Sequence, residues 1–485
     1  MRKTLPVVFV VLFAGVRSQA QSPAVLAAAD LGTQPDPAIP ASPAQIGIGG
    51  NPQAQGGGPA PFGNGEQPVL RFAGDNGPQN EFTFSLSDDT GYDDNLFGSN
   101  IGKVGGFFTS VGPHVSFLTA RKHVTFDFSY SPFFEIFKQY SNRDSVNQTL
   151  ALDVGTEISP RFQLRARESA SEFYYGLFGG NGEQVVPGLG PPGGAVPYFI
   201  NPESRTITST SRIDLIFNKS ARTSIDLFGG YSLMNINYPG AVITYGNFQG
   251  GNAGLSYSYR SSARSSFSAT YVYGESRFSS VANHYSNQNL SLSYAYQISK
   301  TAFISLFGGP EYTYINETLL IPIQTIFGIV KIPYPIHKPE WDWSAGFSVS
   351  KTTLGTAFSL SGSRYVSGGG GLLTAVNSNT GSLGISRRLP WNWTGGMSVN
   401  YTQFQALSFG GAQSGKYTIA YGNVSLNHKL GERASVRMNY GYTSQRGSSN
   451  NVGTALAPGL NYGNLDRNRA SVGIDWQIGK VHLGH

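Results

Sequence analysis

The feature that most constrains the fold is an alternation of apolar and polar residues that starts near Asn80 and continues almost to the end of the chain. In the stretch from Asn289 to Tyr314, for example, Leu290, Leu292 and Tyr294 alternate with serine and alanine. A period of two residues is that of a β-strand with one apolar and one polar face. Because the pattern recurs without any helical periodicity, it predicts a large antiparallel sheet.

The connections between the predicted strands alternate in length. Short turns recur along the chain: Ala120-Arg121-Lys122, Ser159-Pro160, Asn218-Lys219-Ser220, Ser261-Ser262, Ser299-Lys300, Ser350-Lys351, Arg387-Arg388-Leu389-Pro390 and Leu430-Gly431-Glu432. Longer polar or glycine-rich segments lie between them: Asp88 to Lys103, Gly176 to Arg205, Asn316 to Glu340, Tyr365 to Asn379, Phe404 to Lys416 and Ser444 to Arg467. Short turns on one rim and long loops on the other are typical of transmembrane barrels, whose short side is periplasmic.

Closure follows from the properties of lipid, in which an open sheet edge would leave backbone N–H and C=O groups without partners. The prediction is therefore an all-β protein, a transmembrane antiparallel up-and-down β-barrel over residues 80–485, with about 18 strands and roughly 16 to 18 as the range. Barrels of about that size leave room for an aqueous channel.

The composition of the polar face separates this prediction from its strongest rival, a soluble β-sandwich or propeller. Charged residues make up 13% of the chain, against about 25% in soluble domains. Small uncharged residues occupy most polar positions: Ser256, Ser258, Ser266, Ser268, Ser348, Ser398 and Asn439. Aromatic residues recur near strand ends, where membrane barrels carry interfacial girdles: Tyr294, Tyr296, Trp341, Trp343, Trp393, Tyr440, Tyr442 and Trp476. The polar face therefore resembles an aqueous lumen.

The N-terminal region differs from the rest of the chain. Arg2 and Lys3 precede an apolar run, and Ser18-Gln19-Ala20 supplies small residues for cleavage, so residues 1–20 are predicted to be a secretory signal peptide, with a buried first element as the alternative. Residues 21–79, rich in alanine, proline and glycine, predict a disordered periplasmic spacer or an extended segment that a partner binds. The chain has no cysteine, which fits an oxidising periplasm and excludes thiolate sites.

One short motif resembles a known family. Tyr92-Asp93-Asp94-Asn95-Leu96-Phe97 follows the first predicted strand, and with the tandem polar and aromatic hairpins it resembles the β-barrel porin 2 family of Gram-negative outer-membrane proteins. The resemblance implies an outer-membrane barrel with poorly defined cargo and a link to polysaccharide transport. Outer-membrane barrels commonly end on an aromatic residue used in assembly, whereas this chain ends on His485. Either Trp476 serves that role from inside the strand, or recognition by the assembly machinery differs.

Charged residues are few on the polar face, and the alternation directs them to the lumen. The candidates are Arg165, Arg167, Arg212, Asp214, Arg222, Asp226, Arg264, Arg437 and Asp475, together with Asp127, Asp153 and Asp342. They form either a pore lining that selects solutes by charge and hydrogen bonding or cross-strand salt bridges that hold the wall in register. Because the net charge of +6 is spread over many strands without a basic patch, nucleic acid is not an expected partner.

Two loops are candidates for narrowing the pore. The segment from Leu319 to Tyr334 is unusually apolar for an extracellular loop, which predicts a constriction inside the lumen, a surface that docks on a partner, or a hairpin that extends the wall above the membrane. The candidate constriction residues are Ile323, Phe327, Ile329 and Tyr334. The segment from Gly179 to Pro197 is rich in glycine and proline and is a second candidate cover for the pore.

No pattern predicts catalysis, and neither a cofactor nor a metal is expected. Barrel hydrolases need a nucleophile, a base and an orienting group in mutual reach, and the seven histidines are scattered along the chain. The acidic run at Asp88, Asp89, Asp93 and Asp94 predicts a solvated loop, with a divalent cation that bridges lipopolysaccharide as the alternative.

Taken together, these features predict an outer-membrane channel that passes small hydrophilic solutes, saccharides among them, through an aqueous lumen. Outer-membrane lipid, lipopolysaccharide and the assembly machinery are its expected partners. The alternative is a structural or polysaccharide-interacting surface protein whose lumen is blocked.

Overall fold

Alternating aromatic and β-branched residues build the strands, because such side chains suit a pleated surface with two different faces. The computed structural model describes residues 79–98, 102–121, 123–174, 205–237, 247–278, 283–325, 328–369, 373–407, 416–447 and 464–482. One sheet of 18 strands accounts for nearly all of them. The strands are β1 Gln79–Asp93, β2 Gly106–Arg121, β3 Val124–Phe137, β4 Ser145–Ser159, β5 Phe162–Tyr174, β6 Arg205–Ser220, β7 Thr223–Asn237, β8 Phe248–Arg260, β9 Ser265–Phe278, β10 Asn283–Ser299, β11 Ala302–Thr325, β12 Gly328–Thr352, β13 Thr356–Gly369, β14 Leu373–Arg388, β15 Trp393–Ala406, β16 Lys416–Lys429, β17 Ala434–Gly447 and β18 Asn464–His482.

The sheet closes on itself. Every strand pairs antiparallel with the strands before and after it in the chain, and β18 pairs with β1 from Glu81↔His482 to Asp93↔Arg469. The closed 18-stranded up-and-down barrel that the alternation predicts is therefore confirmed. With strands about 4.8 Å apart and tilted by about 40°, a barrel of this size measures roughly 35 Å between opposite backbones.

The two rims differ as predicted. Tight turns join β2 to β3, β4 to β5 and each later even-numbered strand to its successor, as at Lys300-Thr301 between β10 and β11. We call this end the turn rim. The other end, the loop rim, carries connections of varied length, including residues 94–105 and a short 3-10 helix at Ser141–Arg143 after β3. Among the described residues no helix is long and apolar enough to cross a membrane.

Two predicted long loops are wrong. Residues 316–325 and 328–340 belong to β11 and β12, which form an unbroken ladder up to Thr325↔Gly328, and most of residues 365–379 belong to β13 and β14. Prolines within 316–340 disfavour strands, because proline cannot donate to a ladder. Among the described residues, β11 pairs with β10 only as far as Asn316, and β12 pairs with β13 only from Ala345 onward. Beyond these points the described hairpin has no described strand beside it, and strand edges of this kind tolerate proline.

Several predictions fall on other parts of the chain. The signal peptide at residues 1–20 lies outside the described residues, as do residues 21–78 of the predicted spacer and the segment from Gly179 to Pro197. The first strand begins at Gln79, one residue before the predicted start of the barrel.

Candidate functional site

The two faces of the barrel differ in exposure in the way that a lipid environment demands. On β10, Leu292 is 64% exposed, whereas its neighbour Ser291 on the opposite face is 1% exposed. Large apolar side chains are exposed on the same outward face of nearly every strand, and Trp341 and Trp476 add exposed indoles toward opposite rims. A continuous apolar surface of this kind marks contact with lipid, and a closed barrel is the only β-structure that spans a bilayer. The chain is therefore an outer-membrane barrel whose polar face encloses the lumen.

An ion-pair network lies on the lumen side of β4 to β7, and we call it the β4–β7 cluster. Its members are Asp153, Arg165, Arg167, Arg212, Asp214 and Asp226. Asp214 is its centre, because its side chain is 3% exposed and accepts Arg212 Nη2 at 2.6 Å and Arg167 Nη2 at 2.8 Å. Arg165 Nε donates to Asp153 at 2.9 Å. The strands thus bring together six of the predicted lumen residues.

The free charge of this region is negative. Each of the three arginines is bound to a carboxylate, whereas Asp127, the partner of Asp153 across β3 and β4, is exposed and makes no hydrogen bond or ion pair among the described residues. In Asp226, Oδ1 has no partner, and Arg212 is 3.8 Å from Oδ2. Asp127 is therefore the carboxylate of this region that is both exposed and unpaired among the described residues, whereas Arg165, Arg167 and Asp153 are partly exposed as ion pairs.

A second network joins β17 and β18 to β1 and β3, and we call it the seam cluster. Arg437 binds both Asp475 and Asp89, so the predicted lumen residues Arg437 and Asp475 lie in one group. Two further pairs complete the network: Arg467 with Asp93, and Arg469 with Glu135. Arg467, Arg469 and Glu135 are not among the lumen residues predicted from the sequence. Arg467 and Arg469 lie eight and six positions before Asp475 on β18, so the alternation places their side chains on the same inward face as Asp475.

Two predicted lumen residues lie elsewhere. Arg222 is in the turn between β6 and β7, and Arg264 is in the turn between β8 and β9, and both are exposed. The alternation was extended past the ends of these strands, into turns where side chains no longer follow the two faces of the sheet. The structure therefore removes Arg222 and Arg264 from the lumen wall.

The other half of the wall carries mainly hydroxyl groups, with the carboxylates of Glu311 and Asp342 nearer the loop rim. From β8 to β16, away from the strand ends, the inward positions hold mainly serine, threonine, asparagine and glycine. Many hydroxyls pair across neighbouring strands: Ser256 with Thr270 at 2.9 Å, Ser305 with Ser348 at 2.7 Å, Ser361 with Ser382 at 2.6 Å and Ser363 with Thr380 at 2.6 Å. A hydroxyl has two lone pairs and one proton, so all these pairs hold the strands together. The half-buried pairs, Ser361 with Ser382 and Ser363 with Thr380, also present hydrogen-bonding groups to solutes.

The predicted constriction loop is a hairpin. Ile323 pairs with Val330, Ile329 pairs with Gln324, and Tyr334 pairs with Leu319 and is 56% exposed. Phe327 lies outside the described residues. This arrangement is that of the alternative interpretation, a hairpin that continues the wall, and the constriction role of these residues stays a prediction.

The acidic run is also not a loop. Asp88, Asp89 and Asp93 lie within β1, where Asp89 and Asp93 face inward to arginines and Asp88 faces outward. Asp94 follows the strand and accepts hydrogen bonds from Asn468. Because the carboxylates point to opposite faces, they do not converge on one ion, and among the described residues no group of three possible ligands could hold a metal.

Solved structures similar to the chain are outer-membrane proteins. OpdQ of Pseudomonas aeruginosa matches with a TM-score of 0.41 and 9% identity over 82% of this chain and 97% of that one. OccK9 (OpdG) of Pseudomonas aeruginosa matches with a TM-score of 0.42 and 10% identity over 82% and 98%. OccK2 (OpdF), also of Pseudomonas aeruginosa and described in complex with glucuronate, matches with a TM-score of 0.39 and 10% identity over 83% and 98%.

No family model and no curated protein matches the sequence. Membership of the β-barrel porin 2 family therefore stays a prediction. At the similarity of the solved structures, the ligands of those proteins do not transfer to this chain.

Proposed function

We propose that the protein is an outer-membrane channel that passes small hydrophilic solutes through an aqueous lumen. The observation that carries the proposal is the closed wall of 18 strands with a polar inner face and an apolar outer face. A polar interior of this size favours water over a packed core. Lipid, lipopolysaccharide and the barrel-assembly machinery are the partners that such a protein requires, and residues 1–20 would direct its export.

Saccharides are the solute class that the wall suits best. One half of the lumen presents partly exposed charged groups of the β4–β7 cluster, such as Arg165 with Asp153, and the other half presents half-buried paired hydroxyls such as Ser363 with Thr380. Sugar hydroxyls both donate and accept hydrogen bonds, so they can bind either half.

Recording purified protein in planar lipid bilayers tests the channel. We expect steady single-channel current and, in vesicle-swelling assays, entry of small neutral sugars. A closed trace in every salt, with polysaccharide still bound at the surface, would instead support a structural surface protein with a blocked lumen.

Neutralising two arginines should make the channel more selective for cations. In the Arg165→Gln/Arg167→Gln variant, Asp153 loses Arg165, its ion-pair partner among the described residues, and Asp214 loses Arg167 and keeps Arg212. We expect the permeability ratio of potassium to chloride to rise by about twofold or more. The measurement is the reversal potential under a salt gradient near about 0.1 M, where the Debye length is about 10 Å.

The matched control is Arg222→Gln/Arg264→Gln, which removes the same charge from exposed turns. Its reversal potential should stay at the wild-type value. Equal shifts in the two variants would show that the β4–β7 cluster does not face the path of the ions.

We propose no enzymatic role. Acyl transfer needs a serine that a substrate can reach, with a base and an orienting group beside it. His114 Nδ1 does contact the Ser131 hydroxyl at 2.6 Å, but the two residues are only 8% and 6% exposed, so the hydroxyl is closed to a substrate.

A further inference from the structure

The barrel wall splits into two layers near the loop rim. β12 and β13 pair only from Ala345↔Arg364 down to Thr352↔Ala357. Above that point β12 continues alongside β11, and β13 continues alongside β14 as far as Gly369↔Leu373. The two hairpins therefore separate, and each takes its own course toward the loop rim.

The burial of the β13–β14 hairpin shows on which side of the wall it lies. Val366 and Ala375 are even-numbered steps from Leu360 and Leu383, the partners that face lipid lower on the same strands. Val366 and Ala375 are nevertheless buried, with 1% and 2% of their surface exposed. The apolar cluster that covers them consists of Met234, Phe278, Tyr285, Ile315 and Leu407.

Met234, Phe278, Tyr285 and Ile315 all point to the lumen from β7, β9, β10 and β11. The outward face of one hairpin can touch the inward face of other strands only if that hairpin lies inside the wall. We call the described part of this hairpin, residues 364–369 and 373–378, the inner flap. The residue after β15 lies beside the inner flap, because the Leu407 N–H donates to the Ala375 carbonyl at 3.1 Å.

Two carboxylates of the outer layer hold the inner flap. Glu311 on β11 is 0% exposed, and its Oε2 accepts the Val366 backbone N–H at 3.1 Å. Asp342 on β12 accepts Arg364 Nη2 at 3.0 Å and also the side-chain amide of Asn377. A buried carboxylate is costly unless it is fully hydrogen-bonded, so Glu311 favours the position of the flap that supplies its backbone donor. Asp342 is partly exposed and adds an ion pair with Arg364 and a hydrogen bond from Asn377.

From this geometry we infer that the inner flap is the constriction that sets the size limit of the channel, and that Glu311 and Asp342 are the residues that position it. The inference rests on the proposed channel function. Packed sheet layers lie about 10 Å apart, so a second layer removes a substantial part of a lumen roughly 35 Å across. The β11–β12 hairpin, by contrast, continues the outer layer.

The test removes the acceptors and measures the pore. In the Glu311→Ala/Asp342→Ala variant, we expect the single-channel conductance to rise by about twofold, because one of two sheet layers is released from part of the lumen. Larger oligosaccharides should then enter vesicles. The matched control is Glu311→Gln/Asp342→Asn, which removes the same charges but keeps carbonyl acceptors for Val366 and Asn377, and it should conduct as the wild type does.

A crosslink reverses the effect in the same molecule. Because the chain has no cysteine, Glu311→Cys/Val366→Cys/Asp342→Ala carries the only two thiols. Reduced, it should conduct more than the wild type, and a short bifunctional thiol reagent should return it to the wild-type value. If the alanine variant does not fold, Glu311→Cys/Val366→Cys with Asp342 intact is tested for crosslinking, and failure to crosslink overturns the inference.

The outcomes separate the two proposals. If neither the wild type nor any variant carries current, the channel function itself is wrong. If the wild type conducts and the folded alanine variant keeps its conductance and size limit, the inner flap is not the constriction. A variant that lacks residues 323–335 tests the β11–β12 hairpin as the alternative constriction. If its conductance rises and that of the flap variants does not, the β11–β12 hairpin is the constriction.

Discussion

Replacing Asp93 with alanine is expected to destabilise the folded barrel by about 3–5 kcal/mol, the usual effect of removing one partner of a buried ion pair. Asp93 is 0% exposed, and its carboxylate accepts Arg467 Nε at 2.9 and 2.7 Å. Without Asp93, the Arg467 guanidinium is left in a site that is almost closed to water. The loss should be visible as an earlier transition in denaturant and as a lower temperature at which the folded band disappears in semi-native electrophoresis.

The position of this pair explains why the effect should be large. β1 and β18 are the first and last strands, and their pairing alone closes the barrel. Just beyond β1, the Asn95 side-chain amide donates to the Asp466 carbonyl at 2.8 Å, and Leu96 is buried against Phe108 and Phe137. The YDDNLF motif, Tyr92 to Phe97, therefore fastens the closing seam at its loop-rim end.

Asp88→Ala is the matched control, because Asp88 lies on the same strand but is exposed on the outward face. Its stability should change by no more than about 0.5 kcal/mol. Asp93→Ala/Arg467→Ala should recover part of the loss, because it no longer leaves a buried charge without a partner. If Asp93→Ala unfolds at the same denaturant concentration as the wild type, the seam does not depend on this pair.

The strand number and the closure were predictable because they depend on local patterns. Alternation along one strand requires only neighbouring residues, and each turn length is read within a few positions. The ion partners were not predictable in the same way. Arg467 and Asp93 are 374 positions apart in the sequence, and which carboxylate faces which arginine depends on the register of strands that meet only after closure.

The inner flap illustrates a different limit. Val366 continues the alternation that puts Leu360 against lipid, so the local pattern assigns it to the outer surface. Val366 is buried because β12 and β13 separate, and no residue pattern within β13 predicts that separation. The apolar segment from Leu319 to Tyr334 lacks the alternation of a lipid-facing strand, so the sequence pattern predicts a loop there. In the structure the strand pairing continues through this segment as far as Thr325↔Gly328.

Two adjacent substitutions on β15 should give opposite results and so test the assignment of the two faces. Val399 is 41% exposed on the outward face near the middle of the strand, and Val399→Arg should cost about 2–4 kcal/mol, as a charge does near the centre of the bilayer. Ser398 faces the lumen between Gly384 and Asn423, whose small side chains leave room for an arginine. Ser398→Arg should therefore fold nearly as well as the wild type. Refolding into lipid vesicles across a urea series measures both, and equal losses, or a larger loss for Ser398→Arg, would contradict a lipid-facing Val399.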